Sequence, residues 1–295
     1  MPRDNVGQLK RGRKRFVKSL SQPRSDGTTS RTRGDAQKEN RTRARLARTD
    51  AHADPLIADD ALRVVRLLEA DAAGKDESGS LASAVVVLRL STNFACAVMD
   101  VAERNPGEIL SVVTLLPAGP DFVVPTLKGV KPKRLLEILR ADLNRCGATT
   151  AGGWIILALH GEFDDIAQLY RLHFHAVVSG GMVAVVDRLR KLRKYQSKRQ
   201  ELEKLRTAVD KPIKVSRKPL TNLPTTLAYL LQSFWPARSI TESGDGLLRK
   251  QRKKRRIQSP QHTEVLIWLD QFELKDIVLL MKIHVSQGRL KPTKP

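Results

Sequence analysis

Three of the chain's six histidines, His160, His173 and His175, fall within sixteen residues. His173 and His175 form a His-x-His flanked by apolar residues. His160 stands two residues before Glu162 on the run that precedes them. Imidazole nitrogens and a carboxylate oxygen are metal-binding groups. Two nitrogens and one oxygen with open positions suit Mg²⁺ or Mn²⁺ in an oxygen-rich site, or Zn²⁺.

Such a site requires the side chains to share a face. Successive strand residues point to opposite faces, so positions two apart point the same way. A strand over 154–162 places Trp154, Ile156, Ala158, His160 and Glu162 on one face. A strand over 172–178 does the same for His173 and His175. Paired antiparallel, the two strands bring the imidazoles to Glu162, with His160 as an alternative third ligand.

The flanking sequence reads as short alternating pieces. Strands are expected over 109–116 and 211–216, and an amphipathic helix over 131–145 carries Leu135, Leu136, Ile138, Leu139 and Leu143 on one side. Gly180 and Gly181 turn the chain into a long helix over about 182–208 with basic residues on its polar face: Arg188, Lys191, Lys194 and Lys198. A helix over 225–234 starts after Pro224 and stops before Pro236. Hairpin-joined strands with helices laid on one face make an α+β fold with an antiparallel sheet.

Composition bounds the partner. The 295 residues carry a net charge of +22, with a pI near 10.4. Charge of this size points to a polyanion, and nucleic acid is the first candidate. No run of eighteen apolar residues is evident, so no membrane span or membrane partner is expected. Cys96 and Cys146 form neither a disulfide framework nor a zinc ligand set, and a reducing cytoplasm is the simplest location.

The charge is unevenly distributed. Residues 1–50 hold fifteen Lys and Arg against five acids, with few apolar residues, so a disordered basic arm over 1–55 is expected. From 51 to 110 the balance inverts to ten acids and five bases, and 56–106 reads as a helical scaffold. A second basic segment follows 237: Arg249, Lys250, Arg252, Lys253, Lys254, Arg255 and Arg256, expected as an exposed phosphate-contacting linker. Residues 263–285 read as one long helix or two.

A metal that polarises a phosphoryl oxygen leaves the nucleophile unspecified. The chain has three tyrosines. Tyr170 lies in the turn beside the histidine pair and reads as structural. Tyr195 opens a Tyr-x-x-Lys with Lys198. Tyr229 lies on the helix after the fourth strand, with Gln232 three residues on.

The order of a strand with Thr114, a strand ending in Glu162, His173-Phe174-His175 and a late helical tyrosine resembles the HUH endonucleases, specifically the rolling-circle replication initiators of plasmids and single-stranded phages. The resemblance covers about 108–236. It implies an HUH or ferredoxin-like sheet, a divalent metal held by His173, His175 and Glu162 (or His160), and a tyrosine that attacks a DNA phosphodiester and stays joined to the 5′-phosphate. The implied DNA is single-stranded or an origin hairpin, with host replication proteins as further partners. Tyr229 occupies the family's nucleophile position and Tyr195 is the alternative. The chain then divides into the arm, the scaffold, a nuclease domain over 107–236 and a C-terminal basic and helical extension over 237–295. A non-catalytic basic nucleic-acid-binding protein is the alternative function.

Overall fold

The computed structural model describes residues 9–10, 32–75, 78–196, 212–216, 227, 230–231, 235–238, 240–242, 248–250 and 255–293, with the backbone alone at 240–242 and 248–250. Three helices lead: α1 (Arg33–Ala53), α2 (Ala58–Ala73) and α3 (Ala84–Arg104). The Thr32 hydroxyl caps α1 by accepting the Asp35 amide at 3.1 Å, while the Asp35 carboxylate accepts the Thr32 amide at 2.9 Å.

The unstructured arm expected over 1–55 is therefore corrected at 33–53. Its signal was easy to miss because the buried face is built from alanines: Ala36, Ala44, Ala47 and Ala51. Small side chains add little hydrophobicity to a composition count, yet let helices approach closely. Two buried polar residues of α1 organise the start of α3. Asn40 donates to the Ser83 hydroxyl at 2.9 Å and accepts the Ala84 amide at 2.7 Å. Arg43 donates to the Ala82 carbonyl at 2.7 Å. Although no span is expected from the sequence, α3 is long and apolar enough to cross a membrane, and 56% of its apolar window is buried within the fold.

The protein is mixed α+β with a mostly antiparallel sheet. Its strands are β1 (Leu110–Leu115), β2 (Val123–Val124), β3 (Ile155–Asp164), β4 (Leu169–Ser179), β5 (Ile213–Val215), β6 (Pro236–Ala237), β9 (Arg255–Arg256) and β10 (Val278–Met281), with β7 (Ile240–Glu242) and β8 (Leu248–Lys250) forming a separate hairpin. The order is β5-β1-β4-β3-β6-β9; β2 adds to β4 and β10 to β3. The central pair is β3–β4, in which every residue of β3 is buried. Gly153 lets their open ends close, because a Cβ there would lie 2.2 Å from the Ser179 carbonyl oxygen.

Helix α4 (Pro132–Arg145) starts with proline at its first position and buries Leu135, Leu136, Leu139 and Leu143. Helix α5 (Met182–Arg188) is shorter than expected. A 3₁₀ turn over Leu189–Lys191 follows it, and Leu192 is extended, so the helix is not continuous from 182. Of the helix expected at 225–234 only 227, 230 and 231 are described, and 197–211 lie outside the described residues.

At the C-terminus the expected helix ends early. After α6 (Gln261–Asp270) and the one-turn α7 (Leu274–Ile277), residues 278–281 pair with β3, and β11 (Ile283–Ser286) and β12 (Arg289–Pro292) form a hairpin. Short apolar runs such as Val278-Leu-Leu-Met281 fit a buried strand as well as a helix turn. The division expected after 236 is corrected with it, since the C-terminal segment supplies a strand of the main sheet.

Candidate functional site

The register of β3, β4 and β1 gathers the histidines. His160 lies opposite His173, and His175 lies between Ala158 on one side and Thr114 on the other. Ring centroids are 4.8 Å apart for His160 and His175, 4.9 Å for His173 and His175, and 6.0 Å for His160 and His173. His160 and His173 are buried and His175 is half-buried.

Hydrogen bonds assign the ring protons. The Arg171 carbonyl is 3.2 Å from His173 Nδ1, and a carbonyl only accepts, so Nδ1 donates and the lone pair of the neutral ring is on Nε2. His175 Nδ1 shares a 3.1 Å hydrogen bond with the Thr114 hydroxyl. Both His-x-His rings are thus held at Nδ1, the usual arrangement when Nε2 binds metal. His160 is different: its Nε2 donates to the Leu230 carbonyl at 2.9 Å.

Glu162 is on the same strand face, opposite Arg171, and buried. Its Oε2 lies 3.7 Å from Arg238 Nε. Among the described residues, no group of three or more His, Cys, Asp or Glu side chains is gathered tightly enough to hold a metal as it stands. His173 and His175 carry donor nitrogens of a kind that divalent ions take, and Glu162 lies on the same face of the β3–β4 pair. Between His160 and Glu162, Gly161 faces the other side of the strand. A Cβ there would lie 2.2 Å from the Trp235 ring, so glycine is what allows Trp235 to lie flat on β3.

The tyrosines separate clearly. Tyr170 donates to the Glu264 carboxylate at 2.7 Å, a structural contact. Tyr195 is buried, and its hydroxyl has no hydrogen-bond partner among the described residues. Burial, then the neighbouring Asp142 and Cys146, push that hydroxyl well above the ordinary tyrosine range. Tyr229 lies outside the described residues, but Leu230, which follows it in the chain, supplies the carbonyl that His160 grips.

The expected phosphate contacts divide likewise. Arg188 donates to the Cys146 carbonyl at 2.7 Å and Lys194 pairs with Asp142, whereas Lys191 is exposed. Arg249 and Lys250 lie on β8, which corrects the linker expected there; their side chains, like Lys198, Arg252, Lys253 and Lys254, lie outside the described residues. Arg255 is exposed on β9. Arg256 is corrected from a phosphate contact to a structural one: its guanidinium grips Glu39 at 2.7 and 2.6 Å.

That pair belongs to a second polar cluster. Glu39 also accepts from Arg43 at 3.0 Å, and His262 is buried beside both arginines with no partner for its Nε2 among the described residues. Burial pushes the Glu39 carboxyl up, but Arg256 and Arg43 outweigh it and hold it at about 2. Burial, then the two guanidiniums, push His262 down to about 3.

No family model, curated protein or solved structure matches the chain. The functional reading therefore rests on the residues. Sequence reasoning missed Arg238 and the Leu230 carbonyl. Neither carries a local signal: Arg238 follows a two-residue strand too short for an alternation pattern, and the other is backbone.

Proposed function

We propose that the protein is a metal-dependent DNA nicking and strand-transfer enzyme of the HUH type, which starts rolling-circle replication of a plasmid or phage in the cytoplasm together with host replication proteins. The observation that carries this reading is the hydrogen bond from His160, in the imidazole cluster, to the carbonyl of the residue after Tyr229. It ties the segment bearing the expected nucleophile to the expected metal face.

In this reading His173 and His175 would hold Mg²⁺ or Mn²⁺, with Glu162 as the carboxylate of the set. The bound ion supplies Lewis-acid polarisation of a phosphoryl oxygen. Thr114 and the Arg171 carbonyl fix the two ring orientations. Arg238 offsets the Glu162 charge at the edge of the site. His160 anchors the nucleophile's segment and is not itself a ligand.

Tyr229 attacks the phosphorus of a single strand or origin hairpin. Its phenolic oxygen gives up its proton to solvent and forms the new P–O bond, the bond to the 3′ oxygen breaks, and that oxygen takes a proton from solvent and leaves as a free 3′-hydroxyl. A phenol has an ordinary pKa of about 10 and is a weak nucleophile at neutral pH, so it depends on the polarised phosphate. Tyr195 is the poorer nucleophile, because its burial and its neighbours disfavour the phenolate.

The test uses labelled single-stranded DNA with Mg²⁺ or Mn²⁺ and denaturing gels. Tyr229→Phe abolishes cleavage and the covalent protein–DNA adduct, while Tyr195→Phe keeps both. The reverse result moves the nucleophile to Tyr195. Cleavage that survives both changes means water attacks and the strand-transfer reading is wrong. Binding without cleavage by the unaltered protein favours a non-catalytic nucleic-acid-binding role.

A further inference from the structure

Helix α1 carries six Lys and Arg and three acids intermingled along its sequence, yet the fold sorts them. Its three acids all have tasks at its ends or on its packed side. Asp35 closes the N-terminal cap, Glu39 is gripped by Arg43 and Arg256, and Asp50 accepts from the Thr263 hydroxyl. Lys38, Arg41, Arg45 and Arg48 are exposed. At 3.6 residues per turn these four fall within an arc of about 80° and span about 15 Å of helix axis. Arg48 is shared with Glu69 at 2.7 Å. No ion pair is seen for Lys38, Arg41 or Arg45 among the described residues. The outer face is therefore a straight row of cations on a helix fixed at both ends and along its inner side.

We infer that this face of α1 is a docking surface for the phosphate backbone of duplex DNA, separate from the imidazole site. Charge complementarity is the argument. A duplex presents one negative charge per about 1.7 Å of axis in a stiff array, and a stiff row of cations meets it without ordering long segments on binding. The surface uses backbone charge alone, so it is blind to base sequence. It replaces the expected flexible arm at 33–53 with a preformed element.

The experiment measures binding of the full chain to a labelled duplex by fluorescence anisotropy from 50 to 300 mM salt, without divalent metal, so that cleavage plays no part. The triple change Lys38→Gln, Arg41→Gln, Arg45→Gln keeps good helix formers in place. With about 0.9 of slope per phosphate contact, the slope of log K against log salt flattens by about 2.7, and affinity at low salt drops at least roughly tenfold. A control triple at other exposed bases, Lys128→Gln, Arg140→Gln, Arg289→Gln, removes the same charge and leaves the slope nearly unchanged. An unchanged slope in the α1 variant, or equal flattening in the control, overturns the proposal. So does loss of binding to phosphatidylserine vesicles with duplex binding intact, which would make the surface a membrane contact. Failure to nick any DNA would sink the proposed enzyme activity and leave this surface standing.

Discussion

Among the described residues two buried clusters of histidine and charged side chains stand out, and they differ in what holds them together. In the sheet, His160, His173 and His175 sit ring to ring, and the two His-x-His rings are held at Nδ1 by the Arg171 carbonyl and the Thr114 hydroxyl. Between the helices and β9, Glu39, Arg43 and Arg256 satisfy one another, with His262 enclosed beside them. The first cluster sets its rings against one another on one face of the β3–β4 pair. The second closes on itself, joining α1 to the C-terminal segment.

The largest effect that would sharpen this contrast comes from His173→Asn combined with His175→Asn. Asparagine keeps a donor near the Nδ1 position and removes Nε2. Metal-dependent cleavage falls at least about a thousandfold, about 4 kcal/mol in activation free energy, while the melting temperature moves only a few degrees. Retained cleavage on a kinetic gel assay would show that the imidazoles do not serve the chemistry.

Next in size is Glu39→Gln. It leaves the buried Arg43, 2% exposed, without its charge partner. Urea unfolding then shows a loss of about 3 kcal/mol, with cleavage by the folded fraction unchanged. If stability holds and cleavage is lost, the two clusters are coupled and the contrast fails.

Acid titration comes third. His262 is held at about 3 in the fold, below its ordinary value of 6.5, so the unfolded chain binds the extra proton between those values. Stability is full above about pH 6.5 and declines as pH falls toward 3. Glu39, held at about 2 against 4.5, adds a loss that begins near pH 4.5. Between pH 6.5 and 4.5 the His262 contribution amounts to about 2 kcal/mol, and His262→Gln removes that slope in thermal melts. A slope unaffected by His262→Gln would place the acid sensitivity elsewhere.

The smallest effect is at Glu162→Gln. The metal concentration for half-maximal cleavage rises about tenfold, with recovery at high metal. No change in that midpoint would assign Glu162 to Arg238 alone.

The contrast also governs what was legible beforehand. Period-two alternation is a local property of the chain, so the sequence alone placed His160 with Glu162 and His173 with His175 on shared faces. The same rule placed a strand over 109–116, where β1 runs from 110 to 115, and helical periodicity placed α4. The membership of the second cluster was hidden, because Glu39 and Arg256 are 217 positions apart and no spacing rule joins them. The C-terminal strand β10 was hidden because a short apolar run fits either element until β3 offers it an edge. Order in α1 was hidden because alanine packing gains its energy only when α2 and α3 are present to be packed against. Local periodicity fixes which side chains point together; burial, pairing edges and charge partners exist only once distant segments meet, and those decided which basic residues are structural and which face outward.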